Sequence, residues 1–488
     1  MMKKWLAALL AVLTILPTVS CANTNEKEPE SGTAENTVPS SSETIAETDA
    51  FPAIEKQDYK GATFQMVTLQ NEPGNWYYSE ELISSGDNVH VLNNTVFEMN
   101  TMVEEYLGVN LAFENVTPIT TGGEVFTTVQ PSLLSGDDTY QLCILHPYYS
   151  YNAFISGGYA LDFYELEELD LNQPYWNREV MEQLSINGHA YIGLGDICRY
   201  EINMLYCNKG LLSDAKRAVP YESVRNKTWT IDEFTALTSG LYKDDGSGKH
   251  DNKDTYGFAS LWDANGSAFM QAANIYVLAR NEEDTFEISM YGERLLTLYE
   301  KLLRWSKDES TYLWRFGDKN NAEKNMDFHG NTIYFTLDGL GTQYLNADFE
   351  IGMLPLPKYD AAQEEYMHVN WGNNLVVPST IENYEMVGRV LEMMSYYTRT
   401  HVREVYYNDV LQLRVSDAPD DREMVELICN TIVFDPGIAY CDGYNALWNL
   451  VYLPTFTILD GKESIAAYYK TNERGTNIAL KKLFKEAN

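Results

Sequence analysis

Trp371-Gly372-Asn373-Asn374 places an indole beside two carboxamides. A ring offers a flat apolar face, and side-chain amides offer paired donors and acceptors. That combination suits a small polyhydroxylated solute, because polar groups buried without partners are costly. Similar mixtures recur along the chain. His146, Tyr148, Tyr149 and Tyr151 follow an apolar run, Tyr140–Leu145, that reads as a buried strand. In open α/β sheets ligands collect beyond the carboxyl ends of the strands, so these side chains are placed to meet one. Trp262 and Asp263, Asp196 and Arg199, and Trp76 are further candidates. Asp196 and Arg199 are also close enough in sequence to pair with each other, and His146 equally suits a satisfied core position. The stretch Lys243–Asp254 carries Asp244, Asp245, Ser247, Asp251 and Asp254 among glycines. Calcium needs six or more oxygens in alternation, and this spacing is one residue short of an EF-hand-like loop. A solvated Gly-rich turn is the simpler reading, so no cofactor is expected, with calcium held open. There is no Gly-x-Ser-x-Gly elbow, His-Glu-x-x-His pair or Walker-type phosphate loop.

Alternating strands and helices must position these residues. Thr63–Thr68 reads as a strand. Thr95-Val-Phe-Glu98 has the form of a capping box opening a helix, with Val96, Met99, Val103 and Tyr106 on one face and Gly108 at its end. Val109, Leu111 and Phe113 then alternate as a strand. This β-α-β-α-β order argues for an α/β unit with helices on both sheet faces. Further on, Asn370–Pro378 reads as one strand and Ser379-Thr-Ile-Glu382 as a second capping box, before a helix that turns Met386, Val390 and Met394 inward.

The amino terminus has another character. Lys3 and Lys4 precede the apolar run Trp5–Leu16, and Pro17-Thr-Val-Ser20 leads to Cys21. This is the pattern of an export signal, too short to span a bilayer. Cys21 after Val19 and Ser20 resembles a bacterial lipobox, in which the Cys is lipidated; Thr18 departs from the usual Leu. Between Ala22 and Ala50 there is no Leu, Phe, Tyr or Trp, and there are seven acids against one Lys, so this stretch is expected to be a disordered tether. With 71 acids against 35 bases the net charge is −36, which argues against nucleic acid as a partner. Five Cys remain beyond Cys21, an odd number that cannot pair completely within one chain. Cys198 and Cys207 are near enough in sequence to pair, with buried free thiols the simpler alternative.

Several stretches, in order, resemble the extracellular solute-binding lipoproteins of bacterial ABC importers, the broad family that includes maltose-binding proteins. They are Asp58–Phe64, Asn93–Val109, Ser135–Tyr140, Leu205-Tyr-Cys-Asn-Lys209, Lys227-Thr-Trp-Thr-Ile-Asp232, Phe349–Tyr359 and Trp371–Pro378. The resemblance covers nearly the whole chain beyond Cys21. It implies an α/β, two-lobed periplasmic-binding-protein-like (type II) fold, with hinge strands between the lobes and the ligand between them. It implies a signal peptide over 1–21, a tether over 22–58, an N-terminal lobe from 59–201 and 368–400, a C-terminal lobe over 202–367, and a helical segment over 401–488 packing on both. Trp371 and Asn373 would line the cleft. Thr336-Leu-Asp338-Gly339 resembles the element from which the second lobe offers ligand contacts, although Leu340 stands where a Trp is often found. The chain is then expected to be a monomeric carrier on the extracellular face of the membrane. It would bind a small solute such as an oligosaccharide and deliver it to a permease, without enzymatic turnover. A peptide or other solute, a surface glycoside hydrolase using a pair of carboxylates, and a ligand-sensing lipoprotein remain open at this level.

Overall fold

A computed structural model describes residues 51–69, 82, 84, 91–116, 123–146, 151–198, 200–262, 266–315, 325–341, 347–406, 418–441, 446–460 and 464–486. Its strands are β1 (Ala62–Leu69), β2 (Val109–Val116), β3 (Leu142–Leu145), β4 (Asn203–Asn208), β5 (Tyr256–Leu261), β6 (Leu278–Arg280) and β7 (Phe286–Ile288). They continue with β8 (Thr311–Trp314), β9 (Ile333–Gly339), β10 (Ile351–Leu354), β11 (His368–Val369), β12 (Asn374–Val376) and β13 (Ile432–Val433).

The first sheet has the order β12-β3-β1-β2. β1 runs parallel to both β2 and β3, while β12 returns antiparallel to β3. All four residues of β3 are buried, because helices cover both faces of a parallel sheet. The helix Val91–Leu107 buries Val96, Met99 and Val103 against it. Gly108 ends that helix at φ 60°, where a Cβ would stand 2.3 Å from Asp58 Oδ1, so only glycine fits this turn into β2.

The second sheet has the order β10-β4-β9-β5-β8. β5 runs parallel to β8 and β9, and β4 antiparallel to β9 and β10. The helix Ile231–Thr238 starts at Thr230, whose hydroxyl accepts the Glu233 N–H, and it drives Phe234 into the core beneath this sheet. There Phe234 meets the rings of Trp229, Phe258, Phe269, Trp305 and Phe335 at centroid distances of 5.2–6.4 Å.

Three segments cross between the sheets. β11 pairs in parallel with β13, Ile202 bridges Asn370, and the Trp371 N–H donates to the Glu201 carbonyl at 2.8 Å. Asn370 fastens the crossing: its Oδ1 accepts the N–H of Glu201 and of Gly372, both at 2.9 Å. The chain ends in the helices Ala446–Val451, Leu453–Asp460 and Ile465–Glu486. Among the described residues no helix is long and apolar enough to cross a membrane.

Three local expectations are corrected. Thr95 lies inside a helix that already runs from Val91, and its hydroxyl is spent on the Val91 carbonyl at 3.0 Å rather than on a cap. Asn383, not Ser379, caps the helix Tyr384–Tyr397, its Oδ1 accepting the Met386 N–H at 2.9 Å. The strand expected over Asn370–Pro378 is interrupted, because Asn370 turns its amide onto Gly372 and frees residues 371–373 from any ladder. Cys143, Cys198, Cys207, Cys429 and Cys441 form no disulfide with one another, so Cys198 and Cys207 do not pair.

Candidate functional site

β3 and the parallel strands of the second sheet end, and β12 and β4 begin, where the crossing segments pass. β12 opens with Asn374 directly opposite Leu145, so Asn374 and His146 sit together at the carboxyl end of β3. His146 is almost wholly buried, and its Nε2 lies 3.6 Å from Oε2 of Glu201, on the first crossing segment. Asn374 is likewise buried, with Oδ1 lacking a protein partner among the described residues. Asn373 beside it is half-buried. Neighbouring Tyr151 is buried and donates its hydroxyl to the Leu145 carbonyl, and burial holds its phenol well above the usual range. On the second lobe, Asp338, next to last in β9, lies opposite Met204, half-exposed, with Oδ1 accepting the Gly339 N–H at 2.8 Å.

Trp371, 5% exposed, packs against Tyr452 with centroids 5.8 Å apart. Tyr452 in turn stacks on Trp448 at 4.1 Å, with ring planes 30° apart. Trp448 is only half-buried, so this three-ring stack runs from the crossing segment toward solvent. Trp448, Tyr452 and Glu201 were not singled out in the sequence. The available signal was the spacing Trp448, Tyr452, Phe456 at i, i+4 and i+8, which aligns rings on one helical face.

Two candidates belong elsewhere. Trp262 is fully buried between Phe269 and Trp305, at 5.9 and 6.1 Å, so it is a core ring rather than a stacking platform. Asp196, also buried, does not await a solute. It accepts from Arg399 Nη1 at 2.8 Å and pairs with Arg403, whose guanidinium lies over the Tyr200 ring. Tyr148, Tyr149, Arg199, Trp76, Asp263 and Cys21, the residue expected to carry a lipid, lie outside the described residues.

The acidic loop gathers three carboxylates. Oxygens of Asp244, Asp245 and Asp254 lie within 4.8 Å of one another, while Asp251 turns away to accept the Lys253 N–H at 3.0 Å. Asp254 is spoken for by the loop itself: Oδ1 accepts the Asp245 N–H at 2.9 Å, and Oδ2 accepts the Tyr242 hydroxyl at 2.9 Å. Burial opposes its charge, yet these donors hold its carboxyl below the usual range. Asp244 likewise accepts the N–H groups of Gly246 and Gly248. Three carboxylates, each partly or wholly engaged in turning the chain, make a poor match to the six or more oxygens that calcium takes.

No protein-family model matches the chain, and no curated protein sequence does. Solved structures do. An ABC substrate-binding protein of Listeria monocytogenes, in complex with cycloalternan, superposes with a TM-score of 0.56 at 15% identity, covering 86% of this chain and 99% of that one. The GacH receptor of Streptomyces glaucescens, determined unliganded and with acarbose, gives 0.56 at 15% identity over the same shares, 86% and 99%. UgpB from Mycobacterium tuberculosis, in complex with glycerophosphocholine, gives 0.53 at 12% identity over 86% of this chain and 98% of that one. The chain therefore has the two-lobed α/β fold of ABC-transporter solute-binding proteins.

Proposed function

We propose that the chain is an extracellular solute-binding lipoprotein of the maltose-binding-protein-like family. In this reading it captures an oligosaccharide between its lobes and hands it to a membrane permease. The observation that carries this is the ring stack Trp371–Tyr452–Trp448 at the crossing segment, where the Trp371 N–H meets the Glu201 carbonyl and the Glu201 carboxylate faces His146. Rings suit the flat faces of sugars, and the carboxylates, amides and imidazole suit their hydroxyls. Two of the similar folds were solved with glycans, cycloalternan and acarbose, which supports a glycan as the solute to try first. No bond is made or broken in this reading. A solute that prefers the closed arrangement shifts the population toward it, and reopening at the permease releases it. Lipidation at Cys21 and the tether behind it would hold the carrier at the outer membrane face.

The test is thermal unfolding of the chain from residue 22 against a panel of oligosaccharides, peptides and polyols. A glycan at about 100 times its dissociation constant adds about 2.7 kcal/mol, enough to raise Tm by a few degrees. A shift with one glycan class and no new product on chromatography supports capture. Appearance of shortened glycan overturns it in favour of hydrolysis, and shifts with peptides alone overturn the oligosaccharide.

A further inference from the structure

The second lobe sends out a hairpin that joins neither large sheet. Its strands β6 and β7 pair only with each other. The hairpin reaches the first lobe through one guanidinium. Arg280 Nη2 donates to the carbonyls of Ser185 at 2.6 Å, Gln183 at 2.9 Å and Glu182 at 3.3 Å. These are the terminal carbonyls of the first-lobe helix Arg178–Leu184, where unsatisfied acceptors and the helix dipole favour a cation. Arg280 Nη1 is steadied from within the hairpin by the Asp284 carboxylate at 2.9 Å.

A second anchor lies beneath it. The Phe286 ring is 4.8 Å from the same guanidinium and packs against Tyr440 at 5.7 Å and Phe484 at 5.3 Å, both in the C-terminal segment. Tyr440 is itself tied to the first lobe, donating its hydroxyl to the Leu184 carbonyl. Beside the hairpin lies a groove of about 920 Å³, walled by Asn177 and Gln183 of the first lobe and Tyr291 and Glu293 of the second, with β13 and Phe434 also lining it. Its two walls belong to different lobes, so its width follows the angle between them.

We propose that the hairpin β6–β7 is an interlobe strap: Arg280 and Phe286 limit how far the lobes separate on the groove side and so set the resting angle. The link to affinity rests on the capture reading above, since a solute gains only what the closed arrangement offers over the resting one. Arginine is required because its fork covers several carbonyls at once, whereas lysine presents a single point charge.

The experiment measures interlobe distances in the solute-free protein. Nitroxide labels replace the exposed Leu134 on the first lobe and Lys307 on the second, after the half-buried Cys429 is changed to Ser. The electron–electron distance distribution is then read for the parent, Arg280→Ala and Arg280→Lys. A broadened or displaced distribution in Arg280→Ala, with Arg280→Lys intermediate, is expected. Affinity for a glycan active in the thermal panel should change by about threefold or more. Identical distributions in all three proteins overturn the strap. Should Arg280→Ala fail to fold, Arg280→Lys and Phe286→Leu carry the same measurement. If no glycan binds the parent, the capture reading fails, while the distance distribution still decides the strap.

Discussion

Trp448 lies against Tyr452 at 4.1 Å and keeps part of its surface open, so its truncation removes a stacking face without opening the core. Trp448→Ala is expected to weaken glycan binding about tenfold, or ~1.4 kcal/mol, with Tm changed little; calorimetric titration checks the first and a melting curve the second. Trp371 is 5% exposed, so Trp371→Ala should cost both affinity and about 3 kcal/mol of stability. Unchanged affinity in both variants would remove the stack from the site. His368 on β11 carries a pH effect of its own. Its Nε2 accepts the Leu356 N–H at 3.1 Å, which leaves the proton on Nδ1, facing Thr431 Oγ1 at 2.8 Å. Burial pushes its pKa down to about 3. Between that value and the unfolded value of about 6.5, only the unfolded chain takes up the proton, so stability is lost as pH falls through this window. Asp435, just after β13, works in the opposite sense. Burial raises it to about 6 against three backbone N–H donors, so the folded state gains its proton first and is stabilised on acidification. Melting curves from pH 7 to pH 4.5 should therefore fall more steeply in Asp435→Asn and flatten in His368→Gln, by up to about 1.4 kcal/mol per pH unit for each proton.

The element that follows the helix Tyr384–Tyr397 is a single π turn, Thr398–Val402, and it brings Arg399 and Arg403 to Asp196. Removing a buried partner from such a cluster leaves charge uncompensated. Asp196→Ala is expected to cost ~2–4 kcal/mol, the arginines being partly solvated, with glycan affinity held within about twofold. Denaturant melts and titration check the two halves, and a large affinity loss at unchanged stability would return Asp196 to the site. Elements of this kind explain what the sequence could and could not show. The helix face Val96, Met99, Val103 and the buried strand before His146 were legible because each depends on neighbours within one or two turns. The partners of Asp196 lie 203 and 207 residues away, and nearby Arg199 offered a local pairing that spacing alone could not reject. Trp262 shows the same limit from the other side. A Trp after a strand reads alike whether it faces a cleft or, as here, a cluster of core rings. The Asn370 amide, which interrupts the expected strand, acts across the crossing on Glu201, again beyond any local pattern.

At the scale of the whole molecule, capture is useful only if the carrier stays where the permease is. The folded part offers no described helix able to cross a membrane, and a net charge of −36 disfavours adhesion to anionic lipid surfaces. In the proposed reading, retention is the task of a lipid on Cys21. One acyl chain holds a protein only marginally, so such an anchor would need more than one. The composition of 22–50, acidic and without Leu, Phe, Tyr or Trp, is what a tether would need, since it offers little to a core. In a bacterial host that lipidates such signals, Cys21→Ser is expected to leave export intact and move the protein from the membrane pellet to the soluble extracellular fraction. Its melting temperature and glycan affinity should not change, because none of the residues proposed to meet the glycan lies before residue 51. Fractionation before and after a high-salt wash, with immunoblotting, reads the outcome. A Cys21→Ser protein that still pellets after the wash would place the anchor elsewhere in the chain, and retention would then have to come from a surface of the folded lobes.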